Sequence, residues 1–151
     1  MARENAWAAA SAVADPELPP LTIADLGVLR SVHADASGQI IIRITPTYSG
    51  CPAMIVIQME IETALDKAGI KDVRIETELA PAWSSADISA EGRTKLAHMG
   101  IAPPPEPGAS ITCPRCESTA TEEVSRFGAT ACKSLWRCTS CLEPFEAFKA
   151  L

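Results

Sequence analysis

Six cysteines are the residues of this chain best suited to chemistry, and four of them occur in two pairs. Cys113 and Cys116 form one Cys-x-x-Cys pair, Cys138 and Cys141 form the other, and 21 residues lie between the two pairs. Each pair supplies two thiolate ligands from one tight turn, and two pairs complete the tetrahedral set of a structural zinc ion. The spacing therefore predicts a zinc ribbon with a structural four-cysteine site, although four thiolates at this spacing would also hold iron.

Cys51 stands apart from these pairs, in the segment TPTYSGCP of residues 45–52. Proline is favoured at the first position of a helix, so we expect Cys51 at or beside the N-cap. Backbone N–H groups and the helix dipole favour an anion there, and the thiolate is the form of cysteine that attacks electrophiles or binds metal. A small buried cysteine that fills a helix–sheet junction explains the same position equally well. From position alone, both interpretations stay open.

The last cysteine and the two histidines give weaker signals. Cys132, next to Lys133, is either a reactive extra thiol, an alternative metal ligand or a cysteine packed against the ribbon, and packing is the default interpretation. His33 lies in an expected strand and His98 near an expected helix end, and neither has a catalytic partner in the sequence. The sequence also has no Glu-x-x-His motif, no phosphate-binding glycine loop and no nucleophile elbow. A self-sufficient enzyme is therefore not the leading interpretation.

Composition and charge limit the classes of partner. Hydrophobic residues make up 47% of the 151 and charged residues 21%, as in a globular protein. The net charge of −6 falls entirely on residues 1–108, whereas residues 109–151 are neutral, so neither part has the basic excess typical of nucleic-acid binding. No apolar run is long enough for a membrane span, and the alanine-rich start predicts a surface helix rather than a signal peptide. Cysteines spaced for metal indicate a reducing, cytoplasmic location.

The elements that must position Cys51 follow from periodicity. Alanine propensity predicts a helix over 3–14, ended by a proline-rich stretch, and a short helical turn is expected over 22–27. Alternating apolar residues predict two strands over 28–34 and 39–45, joined as a hairpin by turn residues.

A helix should follow Cys51 and end at Gly69, because apolar residues recur three or four apart along it. A third strand is expected over 73–79, with one apolar face that includes Leu79, and a last helix over 89–99. The residues that define the apolar face of the helix after Cys51 are Met54, Ile57, Ile61, Leu65 and Ala68.

Four prolines between residues 102 and 108 indicate a semi-stiff spacer and hence a domain boundary. We therefore expect a first domain over 1–101, a linker over 102–109 and the zinc ribbon over 110–151. The first domain is expected to be of the α/β (α+β) class, a small sheet of at least three strands with packed helices. The ribbon is too small and too poor in apolar residues to fold readily without its metal.

Three short motifs of the first domain carry a family resemblance: DPELP at residues 15–19, IADLG at 23–27 and TPTYSGCP at 45–52. Together they resemble the iron–sulfur cluster assembly domain of bacterial SufT and of eukaryotic cytosolic iron–sulfur targeting proteins. By this resemblance Cys51 is the key functional thiol, and Glu17, Asp25 and Thr47 belong to its supporting motif.

The rest of the chain resembles the PaaD family, accessory subunits of the phenylacetyl-CoA epoxidase system. The similar motifs are PAWS at 81–84, EGR at 91–93, GIAPP at 100–104 and FGATACK at 127–133. The resemblance covers nearly the whole chain and implies a role in aerobic phenylacetate degradation. In that system the oxygenase subunits carry a di-iron centre, and a reductase carries flavin and an iron–sulfur cluster. One departure is WSSADI at 83–88, where such proteins often have Trp-Ser-x-Asp-Trp, so no role carries over to a second tryptophan.

The leading hypothesis is an accessory or maturation protein that assists iron or iron–sulfur centre assembly in the epoxidase through Cys51. A stable cluster needs four ligands, so one cysteine suits a transient iron or cluster whose other ligands come from a partner or a homodimer. The expected partners are the oxygenase and reductase subunits and iron–sulfur assembly proteins, with no nucleic acid and no membrane. The alternatives are a resident structural or electron-transfer subunit with the four-cysteine site as a docking or redox module, and a thiol enzyme that uses Cys51.

Overall fold

The computed structural model describes residues 2–48 and 50–150. The chain divides into two compact units, Met1–Ser89 and Ala90–Leu151. Helices and two small sheets alternate along it, which confirms the predicted mixed α/β (α+β) class. None of the described helices is long and apolar enough to cross a lipid bilayer.

The first unit is a three-stranded sheet with two helices and a short 3-10 turn at Ser85–Asp87. The strands lie in the order β1-β2-β3, in which β1 and β2 form the predicted antiparallel hairpin and β3 pairs parallel to β2. A parallel pair needs a crossover connection, which α2 provides. The bounds are α1 Ala2–Ser11, β1 Leu29–Ala34, β2 Ile40–Ile44, α2 Ala53–Lys67 and β3 Val73–Thr77.

The core of this unit lies between the sheet and the helices. On β2, Ile42 and Ile44 are fully buried, and on α2 the predicted apolar residues from Met54 to Leu65 are buried as expected. Ala68 is the exception, because it is the C-cap of α2 and is exposed.

Two predicted boundaries in the first unit were wrong, whereas the short turn before β1 was predicted correctly. The helix over 3–14 ends at Ser11, because Ala14 pairs with Thr22 in an isolated antiparallel bridge that needs extended backbone. Residues 22–27 form the expected short turn, in which the Leu26 N–H donates to the Thr22 carbonyl at 3.2 Å and Gly27 has a positive φ of 74°. The third strand ends at Thr77, and Leu79, expected on its buried face, is 69% exposed.

The second unit is a four-stranded sheet preceded by one helix. Its strands lie in the order β4-β7-β6-β5; β5, β6 and β7 pair antiparallel, as in a ribbon, and β4 pairs parallel to β7. Fully buried Ala102, Cys113, Cys138 and Ala147 form its core with Phe145. The bounds are α3 Ala90–His98, β4 Ile101–Ala102, β5 Thr121–Ser125, β6 Lys133–Cys138 and β7 Pro144–Phe148.

The compact units divide after Ser89, whereas the sequence placed the boundary in the proline-rich segment 102–109. The difference arises from β4, whose two residues pair with Glu146 and Ala147 of β7 and so join α3 and the start of the expected linker to the ribbon sheet. A strand of two residues carries no detectable hydrophobic period.

Candidate metal centre and thiol site

The four cysteines of the two pairs come together in the second unit. Their sulfur atoms all lie within 4.8 Å of one another, and in the described part of the chain they are the only group of three or more Cys, His, Asp or Glu side chains with ligand atoms so close. The Sγ–Sγ distance is 3.8 Å for Cys113 and Cys141, and 3.6 Å for Cys116 and Cys138. Each close contact therefore joins one turn to the other. We call these four side chains the four-cysteine cluster.

The two turns that carry these cysteines have the same backbone geometry. In each, the N–H of the first cysteine donates to the carbonyl five residues later, from Cys113 to Ser118 and from Cys138 to Glu143, both at 2.9 Å. The residue after the second cysteine has a positive φ in each, 62° at Glu117 and 66° at Leu142. Two copies of one turn thus present two pairs of sulfur atoms to each other.

The donor set fits a tetrahedral metal ion. Zinc–sulfur bonds of about 2.3 Å place the sulfur atoms of a tetrahedron about 3.8 Å apart, close to both observed distances. The Cys141 backbone N–H donates to Cys138 Sγ at 3.4 Å and is the main reason why the pKa of Cys138 is lowered to about 6. A backbone hydrogen bond from Glu143 favours the Cys141 thiolate, but desolvation and the neighbouring thiols raise its pKa to about 12. All four cysteines could be thiolates together only beside a bound cation, which would compensate their mutual repulsion.

Side-chain contacts outside the cluster hold the two turns together. Arg115 forms an ion pair with Glu143 at 2.6 Å, and Ser118 and Ser140 share a hydrogen bond of 2.9 Å. The Cys113 and Cys138 side chains are fully buried, whereas Cys116 and Cys141 are exposed. Zinc at this position would link the turn before β5 to the turn between β6 and β7, so its role would be structural.

Cys132 lies outside this cluster. It directly precedes β6 while Cys138 ends it, so roughly 20 Å of extended chain separates the two thiols. Cys132 is buried, and its sulfur lies 3.0 Å from Thr130 Oγ1. Buried Lys133 forms an ion pair with Glu146 at 3.6 Å. The segment around Cys132 is thus packed against the ribbon sheet and does not contribute to the four-cysteine cluster.

Cys51 is positioned by the loop between β2 and α2 in the first unit. Pro52 is the N-cap of α2, and the carbonyl of Cys51 accepts the N–H of Met54 at 3.3 Å, so Cys51 directly precedes the helix. Gly50 provides the positive φ of 75° that the loop needs there. The thiol is half-buried and belongs to no group of three or more potential metal ligands among the described residues.

A network that the sequence did not predict fixes the start of this loop. The pairing of β1 with β2 shifts register between Leu29 and Ser31, and such a bulge redirects the side chain of the residue between them, Arg30. Arg30 Nε donates to buried Thr45 Oγ1 at 3.0 Å, and its guanidinium lies 3.5 Å from the Asp87 carboxylate. No local pattern identifies a bulge residue, since the bulge depends on strand pairing.

Thr47 lines a cavity of about 250 Å³ beside the loop. Trp83 forms part of its wall, and Trp83 Nε1 donates to the Leu26 carbonyl at 2.7 Å. Exposed Leu79 also lines this cavity. The motif residue Thr47 and the PAWS motif that includes Trp83 therefore meet at one place.

The acidic motif residues have local structural contacts. Asp25 Oδ2 accepts the Thr22 N–H at 3.0 Å, and the Asp25 N–H donates to Thr22 Oγ1 at the same distance. The N–H of Glu17 donates to Asp15 Oδ1 at 2.8 Å. These contacts build the turns before β1. The structure does not gather Glu17 or Asp25 with Cys51 into a group of three or more ligands.

The two histidines lie outside both sites. His33 pairs with Ile41 in the hairpin, and His98 is exposed in the last turn of α3. Neither belongs to a group of potential ligands in the part of the chain that the structure describes.

Two protein-family models match the chain. The model described as an iron–sulfur cluster assembly protein matches residues 3–77, and the model described as a PaaD zinc beta ribbon domain matches residues 104–149. The first match contains Cys51 and the second contains all four cysteines of the cluster.

Curated relatives and a solved structure agree with these matches. The chain is 42% identical to a putative subunit of 1,2-phenylacetyl-CoA epoxidase from Escherichia coli, over 96% of this chain and 91% of that protein. It is 33% identical to the Fe-S protein maturation auxiliary factor YitW of Bacillus subtilis, over 62% of this chain and 92% of that protein. The chain also matches a crystal structure of a DUF59 domain from Bacillus anthracis, with a TM-score of 0.58 and 27% identity. The match covers 63% of this chain and 91% of that chain. The chain therefore belongs to the PaaD family, with an iron–sulfur cluster assembly domain followed by a PaaD zinc beta ribbon.

Proposed function

We propose that this chain is an accessory protein of a phenylacetyl-CoA ring epoxidase in aerobic phenylacetate degradation, and that it assists iron or iron–sulfur centre assembly through Cys51. The observation that carries the proposal is the half-buried thiol directly before α2, separate from the four-cysteine cluster. The names of the E. coli and B. subtilis relatives support both halves, the epoxidase and the maturation role.

One thiolate beside a helix N-terminus suits transient binding. One protein ligand leaves the other coordination positions of an iron ion to the donor and the acceptor of the metal. Cys51 would supply one bond while iron or a cluster passes to the oxygenase or the reductase in the cytoplasm. Zinc at Cys113, Cys116, Cys138 and Cys141 would stabilise the ribbon and take no part in that transfer.

The test compares epoxidase matured with wild-type chain, with Cys51→Ser and with Cys132→Ser. We expect oxygenase and reductase purified from cells with Cys51→Ser to contain less iron and to have lower activity, and those from cells with Cys132→Ser to match wild type. Unchanged iron content and activity with Cys51→Ser would show the proposal to be wrong.

A second candidate function rests on the four-cysteine cluster. Four thiols with Sγ–Sγ contacts of 3.6 and 3.8 Å would hold iron as well as zinc, and an iron site would make the chain an electron-transfer subunit of the complex. Metal analysis and a visible spectrum of anaerobically purified protein separate the two. Zinc without colour favours the assembly role, whereas iron that persists in Cys51→Ser favours electron transfer.

A further inference from the structure

The first two turns of α2 are apolar on both sides of the helix. Met54 and Ile57 are buried, as expected for the core face. On the solvent side Ile55, Val56 and Met59 are 70%, 42% and 61% exposed. A surface helix normally presents polar residues there, and adjacent exposed apolar side chains are typical of an interaction site.

This exposed face lies next to Cys51. Ile55 follows Cys51 by four positions, and Cys51 lies directly before the N-cap of α2, so this face begins within about one helical turn of the thiol along the chain. Gln58 Nε2 lies 3.5 Å from Thr77 Oγ1, which places the first half of α2 beside the end of β3. Leu79 follows two residues later, is exposed and lines the cavity beside Thr47. We define the apolar surface beside Cys51 as Ile55, Val56, Met59 and Leu79.

The charge around this surface indicates what could cover it. Glu60 and Glu62 are exposed on the same helix, and residues 1–108 carry the whole net charge of −6. A second copy of the chain placed here would bring carboxylates against carboxylates, which disfavours a homodimer. A partner with Lys or Arg around an apolar patch would pair with the acidic border while the apolar groups are buried.

We propose that the apolar surface beside Cys51 docks the client protein, through a patch of apolar residues bordered by Lys and Arg on the client. The proposal rests on the function proposed above, because it explains how the client's metal site is brought to Cys51. Docking would also exclude water from the thiol and restrict transfer to proteins that carry a matching patch.

The test uses Ile55→Lys/Met59→Lys, two changes at exposed positions that leave the core intact. The probes are the separately purified oxygenase and reductase subunits of the epoxidase from the same organism, with affinity measured by biolayer interferometry. We expect the double variant to bind its client about tenfold or more weakly, because apolar groups at the centre of an interface contribute most of its affinity. Val124→Lys, at a 58% exposed position on β5, is the matched control and should bind like wild type. Wild-type affinity should also fall as salt rises.

Three results would overturn the docking proposal. The first is wild-type affinity in the double variant. The second is no binding of wild-type chain to any of the subunits. The third is a wild-type dimer by light scattering that becomes a monomer in Ile55→Lys/Met59→Lys, since the occupant would then be a second copy.

Cys51→Ser separates this proposal from the proposed function. If Cys51→Ser binds the client but delivers no iron, both are supported. If it binds and the client still acquires iron, the transfer function fails while the docking surface stands. If the double lysine variant binds normally and Cys51→Ser still abolishes iron delivery, the surface fails while the function stands.

Discussion

The four-cysteine cluster of the ribbon and the Cys51 loop of the first unit place thiols in opposite settings. In the cluster, two copies of one turn hold four sulfur atoms at the spacing of a tetrahedral metal ion. In the loop, a single half-buried thiol precedes a helix, beside apolar side chains that nothing in the described chain covers. A complete ligand set retains its metal, whereas one ligand can bind and release. We therefore propose a structural role for the ribbon site and metal transfer for the loop.

Removal of one cluster ligand is the strongest way to test this division. Cys138→Ser should lose the bound zinc and unfold the ribbon, because apparent zinc-binding free energies of roughly 10–16 kcal/mol in small zinc domains are also folding free energies. Zinc content by mass spectrometry and the dispersion of ribbon resonances by NMR measure the two effects. The first unit should keep its resonances, because it has its own buried core.

Cys132→Ser is the matched control for that experiment. Cys132 is also buried in the ribbon, but it lies at the other end of β6, with Thr130 Oγ1 within 3.0 Å. The Cys132→Ser variant should therefore retain its zinc. Stoichiometric zinc and a native ribbon in Cys138→Ser would contradict the structural role of the cluster.

A backbone contact in the first unit gives the next largest effect. Gly27 has a φ of 74°, and a Cβ atom there would lie 2.5 Å from the Asp87 carbonyl oxygen. Gly27→Ala should cost about 3 kcal/mol or more, as left-handed strain of about 1–2 kcal/mol adds to the displacement of residue 87. The midpoint of urea unfolding measures the loss. Gly38→Ala, with a φ of 88° but no atom within 4 Å, should cost only the strain; equal losses in both variants would argue against the close approach.

The ribbon was predictable because its signal is local. Two Cys-x-x-Cys pairs specify four ligands and two turns at once, and the structure places all four together. The α2 helix and the hairpin follow from periods of about 3.6 and 2 residues, which also need no knowledge of tertiary contacts. Cys51 was identified by its position before a proline, and the structure places it directly before the N-cap Pro52.

The features that were missed depend on contacts between distant residues. The two-residue strand β4 exists only because β7 lies beside it. The bulge at Arg30 depends on the pairing of β1 with β2. Leu79 continues the alternation of apolar and polar residues in β3, but the strand ends at Thr77, and Leu79 beyond it is exposed. Ile55, Val56 and Met59 lie outside the apolar face that the period identified, but the period cannot show that no neighbouring element covers these apolar side chains.

Arg30 offers a smaller effect that links the fold to the thiol. Arg30→Met should lose the hydrogen bond to Thr45 and the ion pair with Asp87, at a cost of about 1–3 kcal/mol in the free energy of unfolding. Because Thr45 begins the loop that leads to Cys51, the variant should also react faster with iodoacetamide at Cys51. Arg43→Met is the control, since the more exposed pair of Arg43 with Glu76 should contribute at most about 1 kcal/mol. If the Cys51 reaction rate in Arg30→Met equalled that of wild type, Arg30 would have no influence on the thiol.

The smallest expected effect on stability belongs to Cys51 itself, and that is why it distinguishes the two sites. Cys51→Ser should change the free energy of unfolding by less than about 0.5 kcal/mol and leave zinc content unchanged, because the side chain is half-buried and outside the cluster. In zinc-loaded wild-type protein, iodoacetamide should modify Cys51 first, ahead of four metal-bound thiolates and buried Cys132. A zinc chelator should then expose the cluster cysteines and leave the Cys51 rate unchanged. If Cys51 instead reacted only after chelation, its thiol would be protected together with the cluster, and the division between a site that retains metal and a site that passes it on would fail.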